Sequence, residues 1–104
     1  MVTILNPFTL PGANQDCLYV YHKDDKLKLG LSTNLKNRNQ EYKGRKFSCV
    51  GYVSPVPDLR KAEKSLSRFF SQRFEQTHKN GEWFKGSRED AEQALLDWVF
   101  QTGV

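Results

Sequence analysis

Residues 17–32 constrain this chain more than any other stretch. Two runs, 17–22 (CLYVYH) and 26–32 (KLKLGLS), alternate apolar and polar side chains around a polar Lys23-Asp24-Asp25 break. A period of two places successive side chains on opposite faces of a strand, so the pair reads as a β-hairpin. Leu18, Val20, Leu27, Leu29 and Leu31 fall on one face, and Tyr19, Tyr21, Lys26, Lys28 and Gly30 on the other. With Asp24-Asp25 as a two-residue turn, Tyr21 lies directly across from Lys28. The leucine face is expected in the core, and the tyrosine and lysine face is expected as polar surface.

The rest of the chain supplies elements to cover the leucine face. Residues 33–43 predict a short helix capped by Ser32 or Thr33, with Leu35, Arg38, Asn39 and Tyr42 on one side and Gly44 at its end. Residues 46–54 (KFSCVGYVS) predict a third strand, stopped before Pro55. Residues 58–74 predict the strongest helix, with Leu59, Ala62, Leu66, Phe69, Phe70 and Phe74 as its apolar stripe. A polar loop follows over 75–82, then a short extended piece at Glu82-Trp83-Phe84. Ser87 caps a last helix whose inner face is Ala91, Ala94, Leu95 and Trp98. The expected order is β-β-α-β-α-β-α, an α+β fold with a small antiparallel three-stranded sheet flanked by helices. Residues 1–16 are expected as an irregular arm and residues 17–104 as a single domain.

At 104 residues the chain has room for one core. No apolar run is long enough to span a bilayer, and the N-terminal stretch has no signal-peptide pattern, so a cytoplasmic location without membrane contact is expected. Cys17 and Cys49 both sit in strand-like segments, where reduced buried thiols are expected. Lys and Arg outnumber Asp and Glu by 16 to 12, a mildly basic balance compatible with a polyanion.

Four side chains stand out. Glu63 falls within the apolar stripe of its helix, where a carboxylate needs a cation, hydrogen bonds or a metal; a narrower stripe would make it an ordinary surface acid. Arg38 falls between Leu35 and Tyr42, facing a carboxylate or phosphate, or snorkelling at a helix edge. Tyr21 and Lys28 form the cross-strand pair. A phenol, an ammonium, a guanidinium and a carboxylate together suit phosphodiester hydrolysis. Lys43, Arg45 and Lys46 form a basic cluster nearby, suited to backbone phosphate or to plain solvation. His22 and His78 are expected exposed.

Tyr19-Val20-Tyr21 followed by Lys28-Leu29-Gly30 resembles the paired motifs of the GIY-YIG nuclease superfamily. Ser32, Arg38, Glu63 and Gly81-Glu82-Trp83-Phe84 follow in that family's order, resembling its small phage- and bacterium-associated branch over about residues 17–86. The resemblance implies that Tyr21 helps activate water and that Lys28 stands at the second motif tyrosine. It implies that Arg38 contacts the scissile phosphate and that Glu63 binds one divalent ion, Mg²⁺ or Mn²⁺. The first motif here begins with Tyr19 rather than glycine, only six residues separate Tyr21 from Lys28, and Ser67 stands where the branch often has histidine.

The expected function is a metal-dependent endonuclease acting on DNA. The alternatives are a catalytically degenerate nucleic-acid-binding module and a protein-binding module on the same fold. So short a chain is expected to be weakly specific, specific for a DNA structure, or dependent on a protein partner or a homodimer.

Overall fold

A computed structural model describes residues 2–103. The hairpin forms as its alternation requires: β2 (Cys17–Lys23) pairs antiparallel with β3 (Lys26–Ser32), and Tyr21 lies opposite Lys28. Asp24 takes the positive φ of the two-residue turn. β4 (Ser48–Ser54) pairs with the other side of β2, with a bulge that leaves Val50 without a partner between Gly51 and Cys49.

The sheet is larger than expected. It has six strands, all antiparallel neighbours, in the order β1-β4-β2-β3-β6-β5. The three-stranded expectation is corrected by β1 (Val2–Leu5) at one edge and by β5 (Glu75–Gln76) and β6 (Trp83–Lys85) at the other. These strands are 4, 2 and 3 residues long, too short to show a period, and their pairing is set by distant segments. Residues 2–5, expected within an irregular arm, are therefore strand; residues 6–16 are irregular.

Helices cover both faces. α2 (Leu59–Ser71) and α3 (Arg88–Thr102) pack on the leucine face, where Leu18, Val20, Leu27 and Leu29 join Leu66, Phe70, Leu95 and Trp98 in the main core. Asp58 and Ser87 cap these helices by accepting the amides of Lys61 and Asp90. α2 stops at Ser71, so Phe74 packs on the core from the turn beyond it.

α1 (Leu35–Gly44) covers the tyrosine face and builds a second cluster of Cys17, Tyr19, Tyr21, Leu35, Tyr42 and Phe47. The expectation of a polar surface there is corrected. Alternation distinguishes the two faces of a strand but does not say whether the second is covered. The α1 cap is Asn34, which accepts the Asn37 amide; Ser32 instead accepts the Asn34 amide. Both cysteines are free thiols, Cys17 buried and Cys49 half-buried. Among the described residues, no helix is long and apolar enough to cross a membrane.

Candidate functional site

A cleft of about 550 Å³ opens where β3, α1, α2 and the β5–β6 loop meet. Its walls carry five cationic side chains, Lys28, Arg38, Arg45, Arg60 and Lys64, against the carboxylates Glu41, Glu63 and Glu82. Tyr19 and Gly30 lie on its sheet side and Tyr42 on its α1 side. A concave surface with excess positive charge focuses its field on anions.

Glu63 is half-buried on α2 and has no ion pair or hydrogen bond among the described residues. Burial raises its pKa, and the nearby Glu82 carboxylate raises it further. Lys28 and Arg60 only partly offset this. The cleft thus holds a carboxylate whose neighbours leave its charge under-compensated.

Lys28 is more committed. Its Nζ donates to Glu82 Oε2 at 2.6 Å and sits 5.3 Å from the Trp83 ring centroid. With 13% of its side chain exposed, the ammonium depends on that partner. The loop bearing Glu82 is tied down locally: Asn80 Oδ1 accepts the Glu82 amide, and Ser67 on α2 donates to the Gly81 carbonyl. Gly81 has φ +73°, the left-handed region that glycine occupies most freely.

Arg38 lies on the exposed face of α1, not the inner one, with a long 3.4 Å contact to Glu41. It still lines the cleft, with its guanidinium available to a ligand. Arg45 also lines it, 5.4 Å from the Phe47 ring centroid and 5.9 Å from that of Trp83. Of the basic cluster 43–46, only Arg45 reaches the cleft. Lys43 lines a separate groove on the other side of α1, and Lys46 lines neither.

The tyrosines divide in a way the motif does not reveal. Tyr21 is fully buried, stacked on Tyr42 at 4.2 Å between ring centroids, and its hydroxyl donates to Asn39 Oδ1 at 2.6 Å. It does not line the cleft. Tyr19, one turn of the pleat earlier, does, and its hydroxyl is 2.9 Å from that of Tyr42. Burial raises the pKa of both Tyr19 and Tyr42, so both stay protonated near neutral pH. Residue spacing alone missed Tyr19, Tyr42, Arg60 and Glu82. The available signal for Tyr19 was its place on the same strand face as Tyr21 and Lys28.

His22 is half-buried, and its Nε2 has no hydrogen-bond partner, contrary to the expected exposed ring. His78 is exposed, with its ring 5.6 Å from that of Trp83.

Among the described residues, no group of three or more His, Cys, Asp or Glu side chains converges on one point. Glu63, with Glu82 nearby, suits a hard cation such as Mg²⁺, which takes one or two carboxylates and completes its shell with water and phosphate oxygens.

A model of the T5orf172 domain matches residues 16–99. That match corrects the GIY-YIG identification, since the domain found is T5orf172 and not GIY-YIG. The short motifs around Tyr21 and Lys28 were too brief to separate families. T5orf172 is a phage-associated domain often linked to nucleic-acid binding or nuclease activity. Neither the curated proteins nor the solved structures contain a significant match.

Proposed function

Because the chain belongs to the T5orf172 family, we propose that its cleft binds DNA and hydrolyses a phosphodiester bond with the aid of one divalent cation held at Glu63. The observation that carries this reading is the half-buried, unpaired Glu63 carboxylate inside a cleft otherwise rich in cations. A cation at Glu63 relieves the carboxylate's desolvation, and a phosphate satisfies the surrounding guanidinium groups.

Arg38, Arg45 and Arg60 are the phosphate-binding groups, being planar donors suited to bidentate contact with oxygen. Lys28, fixed by Glu82, adds a positive charge near the reacting phosphate and a proton for the leaving oxygen. Tyr19 takes the place expected for Tyr21. Its raised pKa makes it a hydrogen-bond donor to phosphate rather than a base. Glu63 would hold the cation, which would supply a lowered water pKa and offset charge on the phosphoryl oxygens. Tyr21, through Asn39 and Tyr42, positions α1 against the sheet.

Cleavage of supercoiled plasmid, branched DNA and single-stranded DNA in Mg²⁺ or Mn²⁺ tests the proposal. Wild type is expected to nick in a metal-dependent way and Glu63→Ala to lose nicking while keeping DNA binding. Binding by both proteins without cleavage on any substrate would replace the enzyme by a binding module.

A further inference from the structure

α1 separates two grooves. Arg38, Glu41, Tyr42 and Arg45 face the cleft, whereas Lys36, Asn39, Gln40 and Lys43 face a second groove of about 600 Å³ closed by Phe8 and Leu10. The second groove carries two lysines and no carboxylate. Its rim residue Phe8 is fully exposed.

Phe8 is not on a free end. Asn6 N donates to Val50 O at 3.0 Å on one side of it, and Lys36 N donates to Pro11 O at 3.0 Å on the other. Leu10 packs against the tyrosine cluster. The segment is therefore anchored to β4 and to the first turn of α1, with the phenyl ring at its outer bend. A single exposed phenylalanine is ordinary by itself. Here it stands over a groove walled by lysines and side-chain amides, the combination that binds single strands by stacking and backbone charge.

We propose that this groove is a second nucleic-acid site, holding an unpaired segment that leaves the cleft, with a base stacked on Phe8 and phosphates on Lys36 and Lys43. The proposal rests on the assignment of the cleft to nucleic acid. A helix is about 10–12 Å across, so an unpaired strand leaving the cleft crosses α1 within a few nucleotides. Asn39 lines this groove and also accepts the Tyr21 hydroxyl, so the same helix side chains that shape the groove are fixed to the sheet. The chemistry selects unpaired bases over duplex, because a base stacked between its neighbours inside a duplex presents no free face to Phe8.

The test uses the full chain and fluorescence anisotropy on a blunt DNA duplex and on the same duplex carrying a dT12 or a U12 tail. Wild type is expected to prefer a tailed duplex by about tenfold, which is what loss of one base–aromatic stack costs. Phe8→Ala should abolish that preference, and Phe8→Trp should restore it. Lys36→Ala with Lys43→Ala should flatten the dependence of log affinity on log salt for the tailed duplex by about 1.4, at about 0.7 per phosphate contact. The dT12 and U12 arms separate DNA from RNA as the source of the tail.

Equal affinity for blunt and tailed duplex, or a preference that survives Phe8→Ala, overturns the second site and leaves the cleft assignment standing. A tail preference in a protein whose blunt-duplex binding ignores Arg38→Glu with Arg60→Glu refutes the cleft and keeps the groove. No binding to any of the three overturns both.

Discussion

Gly30 is where strand pairing and the cleft meet, and its replacement by alanine tests how tightly they are coupled. A Cβ at Gly30 would lie 2.2 Å from Tyr19 Oη, 2.3 Å from Cζ and 2.6 Å from Cε1. All three are well inside contact distance, so the Tyr19 ring must move by about 1.3 Å to reach an ordinary separation of about 3.5 Å. Two neighbours resist that movement. Tyr21 and Tyr42 pack edge-on against the ring at 5.4 and 5.6 Å, and the Tyr19 and Tyr42 hydroxyls are bonded at 2.9 Å. Overpacking of this kind costs about 1–3 kcal/mol, and loss of the hydroxyl pair adds about 1 kcal/mol. Gly30→Ala should therefore lose about 2–4 kcal/mol in urea unfolding, or roughly 8–16 °C in Tm. A double-mutant cycle isolates the cause. In a Tyr19→Ala background the clash is absent, so Gly30→Ala should cost less than about 0.5 kcal/mol. An equal cost in both backgrounds would refute the steric account and place the penalty in the β3 backbone.

Glu63→Gln should become more stabilising as pH rises. The folded-state pKa of Glu63 is raised above its ordinary value, so the native state holds the proton more tightly and loses stability as pH climbs through that raised value. Thermal unfolding between pH 4 and 8 checks the sign, and Mg²⁺ should raise the Tm of wild type but not of Glu63→Gln. Tyr21→Phe should lose about 1 kcal/mol from its bond to Asn39 yet keep cleavage, whereas Tyr19→Phe should lose a similar amount from its bond to Tyr42 and also lower the cleavage rate; the reverse pattern of cleavage would return the phosphate-contacting phenol to Tyr21. Glu82→Ala should cost about 1–3 kcal/mol by leaving Lys28 unpaired, and adding Lys28→Met should recover part of the loss in the same denaturant titration. Gly81→Ala should cost about 1–2 kcal/mol for its left-handed backbone and loosen Glu82, read as a parallel drop in cleavage and in Tm.

Where side-chain periodicity was long enough to count, sequence determined the outcome. The alternation of 17–32 set the hairpin and its register, down to Tyr21 opposite Lys28. The spacing of Ala91, Ala94, Leu95 and Trp98 set the buried face of α3. Glu63 was legible as an acid out of place on an apolar stripe, because the cost of desolvating a carboxylate is local and large. Tertiary structure decided the rest. The edge strands carry too few residues for a period, and their partners lie far away in sequence. Only the docking of α1 could show that the tyrosine face is covered, because alternation distinguishes two faces without saying what each one meets. The same docking buried Tyr21 and turned Tyr19 toward the cleft, although both sit on one strand face with the same local chemistry. The pairing of Lys28 with Glu82 was equally hidden, since it joins residues from β3 and a distant loop. A cleft is a relation among elements, and its charge balance exists only once they are packed.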